Sequence, residues 1–258
     1  MRFRIVSLNM HKGFSQLNSR FVLHELREAV RSVKADLVFL QEVQGEHSAK
    51  ARKYEDWPDQ TQYEFLADDI WSHYAYGKNA IYPDGHHGNS ILSRFPIRHS
   101  EKVNISTNRV EQRGLLCCEL DMPDGEPMFA LCVHLSLFAL SRRKQLTMIQ
   151  DYIKSTIPDH APLVLAGDFN DWTGLPTQGF SRELGLGEAF VTTQGRNPRT
   201  FPSNWPLLRL DRIFYRALTA EASAIHSRGI WGKLSDHAAL VADMSLKSRN
   251  VAHRAAGA

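Results

Sequence analysis

Pro162-Leu163-Val164-Leu165-Ala166-Gly167-Asp168-Phe169-Asn170-Asp171-Trp172 is the stretch on which the fold turns. A short, branched-aliphatic run closes on a glycine, and a carboxylate and a carboxamide follow two residues apart. Such a run reads as a buried strand. Its C-terminal end delivers Asp168 and Asn170 to one edge of a sheet, the place where open α/β sheets bind ligands. Taken alone, Gly-Asp-x-Asn is equally the chemistry of a turn. The other strand ends decide between the two.

Outward from this run the same arrangement recurs. Residues 2–9 predict a strand ending at Asn9, and 36–42 a second buried-type strand ending at Glu42. Between them a helix is expected over about 20–33, capped by Ser19, with Val22, Leu26, Ala29, Val30 and Val33 on one face. A helix from Pro58–Asp59 to about Ser72, a strand near 75–81, a turn-rich connection over 83–89 and a short strand at 90–93 follow. Strands at roughly 110–121 and 127–134 flank the hairpin turn Pro123-Asp124-Gly125, the second ending at His134. A helix over about 139–156 carries the stripe Leu146, Ile149, Ile153 and Ile157. Beyond the central strand, 171–206 reads mostly as loop with one short helix near 177–184. Strands at 207–215, 219–227 and 238–245 and a loop over 231–237 complete the chain. The hairpin connections argue against a purely parallel sheet. A single domain over 1–246 is expected, with a disordered tail at 247–258.

Composition narrows the class. The chain has 258 residues, 43% hydrophobic and 23% charged, as in ordinary globular proteins. No apolar run reaches the length of a membrane span, and no amphipathic helix with a basic face stands out, so a stable membrane anchor is not expected. The N-terminal residues enter a strand pattern without a signal-peptide segment, which predicts a cytoplasmic location. Cys117, Cys118 and Cys132 lie in strand-like runs; an odd count without zinc-type spacing favours reduced core thiols. A net charge of +3 and a pI near 8.8 suit an anionic substrate but fall short of the basic face of a tight duplex binder. Oligomeric state is not readable.

Several hydrophobic strands thus end in a metal-competent or proton-transferring group: Asn9, Glu42, His134, Asp168 with Asn170, Asp211, and Asp236 with His237. Burying such groups without partners costs several kcal/mol each. Convergence on one cleft, with a cation to neutralise the carboxylates, removes that cost. The oxygen-rich donor set suits Mg²⁺, Mn²⁺ or Ca²⁺ rather than zinc. Two histidines beside carboxylates titrate near neutrality. Together they form a kit for attack of water on a phosphate ester. Each residue also has a plainer reading: His134 as a core histidine, Asp211 as a partner of Arg212 or Arg209, Arg94 and Arg113 as structural ion pairs, and His11, His86 and His87 as solvated loop residues.

The ordered set Ser7-Leu8-Asn9, Leu40-Gln41-Glu42-Val43, Gly88-Asn89-Ser90-Ile91-Leu92-Ser93-Arg94, Val133-His134-Leu135, Gly167-Asp168-Phe169-Asn170, Leu210-Asp211-Arg212-Ile213 and Ser235-Asp236-His237 resembles the endonuclease/exonuclease/phosphatase superfamily, the DNase I-like phosphoesterases, from about residue 3 to 246. The resemblance implies a four-layer α/β sandwich, with two mixed β-sheets packed face to face and helices outside. It implies a Mg²⁺ or Mn²⁺ cofactor held by Glu42 with Asn9 and Asp236. It gives Asp168 and Asn170 the task of orienting water and phosphate, makes His237 with Asp211 the base or phosphate donor, and has His134 protonate the leaving oxygen. One metal or two stays open.

Which phosphate ester is attacked is the least legible point. His11, His87, Asn89, Arg113 and Trp172 are candidate substrate contacts. Met10-His11-Lys12-Gly13, Gly85-His86-His87-Gly88-Asn89, Phe201-Pro202 and the segment 207–213 resemble a compact bacterial branch often encoded beside cardiolipin synthase-type enzymes. That implies either a nucleic acid or a phospholipid-type diester as substrate. The alternative is a non-catalytic scaffold of the same fold that binds a phosphorylated partner; a zinc hydrolase is a weaker third reading.

Overall fold

The computed structural model describes residues 1–246; the expected tail at 247–258 lies outside the described residues. In chain order the elements are β1 (Arg2–Asn9), α1 (Leu23–Ser32), β2 (Leu37–His47), α2 (Ser48–Lys53), α3 (Gln62–Ala67), β3 (His73–Tyr82), β4 (Gly85–Ser93), β5 (Ile97–Asn104), β6 (Gly114–Asp121), β7 (Pro127–His134), α4 (Ala139–Thr156), β8 (Leu163–Asp168), α5 (Leu175–Glu183), β9 (Gly187–Glu188), α6 (Ala189–Gln194), β10 (Asp211–Arg216), β11 (Leu218–His226), α7 (Trp231–Leu234) and β12 (Ala239–Leu246).

Period-two alternation sets which way each strand faces. Phe3, Ile5, Leu37 and Phe39 point into one apolar layer, while Val6, Leu8, Val38 and Leu40 point into another. Likewise Cys118, Ala130, Cys132, Val164 and Ala166 share the first layer, and Leu131, Val133, Leu163 and Leu165 face a third. The shared layer lies between two six-stranded mixed sheets, ordered β11-β12-β1-β2-β4-β3 and β5-β6-β7-β8-β10-β9. The second layer is closed by α1, α3 and α7, and the third by α4 and α5. This is the expected four-layer sandwich. Adjacent Cys117 and Cys118 face opposite sides of β6, and all three cysteines are buried and free.

Two parallel pairs carry the site. β1 runs parallel to β2, with Asn9 opposite Gln41, and β7 runs parallel to β8, with His134 opposite Asp168. β10 is antiparallel to β8 and starts at Asp211 opposite Asp168; β12 is antiparallel to β1 and begins just after His237. The polar ends therefore all emerge at one edge of the sandwich, across both sheets.

Several boundaries differ from the sequence expectation. Ser19 does not cap α1; its hydroxyl meets Ser15, and Val22 opens the helix. α3 spans only Gln62–Ala67, because the Glu64 carboxylate accepts from the Thr61 N–H at 3.1 Å and Asp68 leaves helical geometry at φ 38°. Gly85–Asn89, read as a turn, is the first half of β4, paired to β2 and β3 on either side. β5 and α2 were not anticipated, 171–206 holds two helices, and 231–234 forms a helical turn. Among the described residues no helix is long and apolar enough to cross a membrane.

Candidate active site

The polar ends meet in a cleft of about 440 Å³, lined from both sheets by Asn9, Glu42, His134, Asp168, Asn170, Asp236 and His237. Its centre is one oxygen. Asp168 Oδ2 lies 3.2 Å from the Asn9 amide nitrogen, 3.4 Å from His134 Nε2 and 3.7 Å from His237 Nε2. Asp168 Oδ1 accepts from the Asn170 N–H at 2.9 Å, and the Asn170 amide donates to the Leu135 carbonyl at 3.0 Å. Asn170 takes this position at φ 50°, so Gly-Asp-x-Asn is both strand end and turn.

Glu42 reaches the cleft through a bulge. β2 pairs Leu40 with Ser90 and Val43 with Gly88, leaving Gln41 and Glu42 opposite Asn89 alone. Glu42 sits at φ 55° there. A bulge re-aims a side chain, and a non-glycine left-handed residue costs on the order of 1–3 kcal/mol, a strain concentrated at functional sites. Glu42 Oε1 accepts from the Asn9 amide at 3.2 Å, and Oε2 lies 3.6 Å from Lys12 Nζ. Burial pushes the Glu42 carboxyl up, but His134, Lys12, the Asn9 amide and His11 outweigh it and hold it at about 2.

His237 is fixed from three sides. Its backbone N–H donates to the Ser235 hydroxyl oxygen at 3.1 Å, its Nδ1 lies 2.9 Å from Asp211 Oδ2, and the Phe201 ring packs 5.2 Å from its own. Ser235 Oγ also donates to the Asn9 carbonyl at 2.6 Å, tying the Ser-Asp-His loop to the end of β1. Burial alone would lower the imidazole, but Asp211, Asp168 and Asp236 raise it to about 10. Asp168 is pushed up to about 6 by burial, with Asp211 adding to it against His237. Burial, with the charge of Arg113, holds His134 well below the usual histidine range. Near neutrality, then, His237 is a cation and His134 a neutral ring.

Distance alone makes Asp168, Asp211 and His237 a possible metal triad, since their ligand atoms lie within 4.8 Å of one another. The protonated, Asp211-bound ring of His237 is a poor ligand, however. The ionised Glu42 carboxylate is the group better suited to a hard cation, with Asp236 beside it in the cleft lining; Asn9 turns its amide nitrogen to Glu42 and Asp168, and its oxygen accepts from the His11 N–H at 3.1 Å.

The less certain contacts separate. His87, Arg113 and Trp172 line the cleft; Arg113 pairs with Glu111 at 3.4 Å, and Trp172 is half exposed beneath the Arg142 guanidinium, 5.2 Å from its ring. His11 Nδ1 lies 3.9 Å from Asp236 Oδ1. Asn89 is placed elsewhere. Buried between the sheets, it donates to the Gly114 carbonyl at 3.0 Å and the Cys132 carbonyl at 3.2 Å, which corrects its assignment as a substrate contact. Sequence reasoning missed Lys12 and Glu111 in the cleft wall. Lys12 lay within the distinctive stretch after Asn9, and that was the one signal available.

Comparisons with known proteins bear on the family and the fold. The chain is 46% identical over 245 residues to the uncharacterized protein YbhP of Escherichia coli (strain K12), covering 95% of this chain and 96% of that one. Its fold is similar to that of an endonuclease/exonuclease/phosphatase from Beutenbergia cavernae, with a TM-score of 0.76 at 21% identity over 95% of this chain and 72% of that one. D. rerio TDP2 complexed with single strand DNA product matches with a TM-score of 0.70 at 21% identity, over 95% and 99% of the two chains. The Bacteroides thetaiotaomicron mannosyl-6-phosphatase Bt3783 matches with a TM-score of 0.72 at 16% identity, over 95% and 100%. Those three likenesses speak to architecture. The family model itself spans residues 6–237, and the chain belongs to the Endonuclease/Exonuclease/phosphatase family.

Proposed function

We propose that the protein is a divalent-metal-dependent phosphodiesterase that cleaves a P–O bond by attack of water. The observation that carries this reading is the convergence of Asn9, His134 and His237, from separate strand ends, on Asp168 Oδ2. A structural carboxylate does not need two histidines and an amide. A carboxylate that must take a proton from water and hold the phosphate beside it does.

Glu42, with Asn9 and Asp236, would hold Mg²⁺ or Mn²⁺, and the donor chemistry fits a hard cation. When bound, the ion supplies positive charge to the phosphate oxygens. The chain's own groups do the rest. Asp168, poised at about 6, accepts the proton of the attacking water. The Asn9 side-chain amide and the Asn170 backbone N–H orient that carboxylate, one at each oxygen. His237, a cation braced by Asp211, faces the negative charge that builds on the phosphoryl group and is the proton donor for the departing oxygen. Neutral His134 positions Asp168 rather than protonating the leaving group, a change from the role the family resemblance implied.

The test is hydrolysis of an aryl phosphodiester and the matching monoester in EDTA, Mg²⁺ and Mn²⁺. Metal-dependent turnover, faster on the diester and lost in His237→Ala, is expected. Metal binding without turnover of either ester would leave the scaffold reading standing.

A further inference from the structure

We infer that the mouth of the cleft docks on an anionic phospholipid surface, so that the ester is presented to the site from a lipid–water interface. This deepens the phosphoesterase reading and rests on it for the chemistry, though not for the docking.

Exposed apolar side chains are unevenly distributed. Seventeen large hydrophobic residues are exposed among the described residues, and eleven of them sit on segments that border the cleft. They stand on four connecting segments, two of which run into the first turns of α4 and α5, and on one hairpin. Val110 is 88% exposed, Leu140 75%, Trp205 74% and Leu175 72%, with Phe138 and Leu207 close behind. The loops form one rim. Leu137 and Val110 both line the cleft; Asn108 donates to Ser141 Oγ at 3.3 Å, and Ser136 bonds to Glu111. Arg142 donates to the carbonyls of Ser136 and Leu137 at 3.0 and 3.2 Å and lies over Trp172. The Phe201–Leu208 bridge lifts Trp205 and Leu207 at the opposite side of the mouth. Single exposed hydrophobics are ordinary, but a ring of them around a cleft is an interaction surface.

Charge selects the occupant. Residues 81–86, 105–113, 135–144, 171–176 and 196–210 together carry eight Lys or Arg and three Asp or Glu, against 31 and 28 in the whole chain. Two of the acids are already engaged: Asp171 is buried and bonds Thr173 and Thr177, and Glu111 is held by Arg113 and Ser136; Asp84, on the hairpin, is exposed. Arg109, Arg143, Lys144, Arg196 and Arg199 are exposed beside the apolar tips. Apolar tips with interleaved cations are the pattern of a surface that enters an anionic headgroup layer. A nucleic acid would use the cations and the tryptophans, but the aliphatic tips Val110, Leu140, Leu175 and Leu207 can neither stack on a base nor bond to a phosphate. The contacts a bilayer adds are the ones these residues can make.

The experiment is sedimentation of the full chain with phosphatidylcholine vesicles, with and without phosphatidylglycerol, at low and high salt. The comparison is a Phe138→Ser/Leu140→Ser/Trp205→Ser triple variant, which changes only exposed side chains outside the catalytic groups. Expected are binding to the phosphatidylglycerol vesicles, weakening with salt, and at least about a tenfold loss of partitioning in the triple variant. Hydrolysis of a soluble aryl diester should stay within about twofold, as no rim tip takes part in the proton transfers. A charge-reversed Arg143→Glu/Lys144→Glu variant should lose the preference for phosphatidylglycerol. No vesicle binding, binding indifferent to the triple variant, or retention of single-stranded DNA that the triple variant abolishes would each overturn the inference. Vesicle binding without hydrolysis of any soluble ester would sink the catalytic reading and leave the docking in place.

Discussion

Alanine at Gly167 should damage both the fold and the site, by an amount the structure sets. Gly167 holds φ +145°, and a Cβ there would lie 2.0 Å from the Val133 carbonyl oxygen and 3.0 Å from its carbon. Ordinary contact begins at 3.4 Å, so β8 would have to move from β7 by about 1.4 Å. Val133 is the register partner of Gly167 and His134 that of Asp168, so the movement falls on the strand pair that sets the His134–Asp168 distance. Backbone strain at positive φ and overpacking together cost about 2–4 kcal/mol, or roughly 5–15 °C in Tm for a domain of this size. A misplacement near 1 Å costs on the order of 10²-fold in rate. Calorimetry and turnover below the transition read both effects. Gly179→Ala is the control: Gly179 lies within α5 with nothing within 4 Å of its Cβ position, and alanine there should stabilise by about 0.5–1 kcal/mol. A Gly167→Ala protein with wild-type Tm and turnover would refute the reasoning.

Other outcomes follow from the same geometry. Asp211→Asn keeps the shape but removes the charge that braces His237, so the imidazole titration followed by NMR should fall from about 10 and turnover should drop about 10²–10⁴-fold. Asn89→Ala leaves the Gly114 and Cys132 carbonyls short of a donor between the sheets; denaturant unfolding should show a loss of about 1–3 kcal/mol, while turnover per folded molecule stays at the wild-type level. Burial raises the Glu188 carboxyl to about 7, against the Val191 N–H and Arg212. The unfolded chain therefore ionises first, and Glu188 withdraws stability as pH climbs from about 4.5 to about 7. Glu188→Gln should gain on the wild type by on the order of 1–3 kcal/mol between pH 5 and 8, measured as a difference in denaturant midpoints; equal pH slopes for the two proteins would refute it.

The strand ends were legible because apolar runs stop abruptly at them. Val133-His134 and Gly167-Asp168 are register partners, and each couples a two-sided buried strand to a polar terminus. What failed was read from residues whose tertiary setting overrides local habit. Gly85-His86-His87-Gly88-Asn89 has turn composition, yet it lies between β2 and β3, and a Cβ at Gly88 would sit 1.9 Å from the Gly77 carbonyl. The glycine there allows a close approach of strands rather than a turn. β5 was invisible because Ile97-Arg98-His99-Ser100-Glu101-Lys102 is an exposed edge strand, where charge replaces hydrophobic alternation. Glu42 reads from the sequence as a strand end, yet β2 runs on to His47, and the bulge that turns Glu42 into the cleft shows only in the β2–β4 register, which skips from Leu40–Ser90 to Val43–Gly88. The rim residues carry no motif at all; each is one apolar residue in a loop, a hairpin or a first helical turn until those segments are brought together.

The central claim is that Glu42 holds the metal on which turnover depends. It is tested most directly by titrating Mg²⁺ into EDTA-stripped wild type and Glu42→Gln while following hydrolysis of an aryl phosphodiester. The wild type is expected to regain turnover on Mg²⁺ addition, and Glu42→Gln to keep its fold but need at least about tenfold more Mg²⁺ and reach a far lower plateau. Identical Mg²⁺ curves for the two proteins, or full turnover in EDTA, would contradict it.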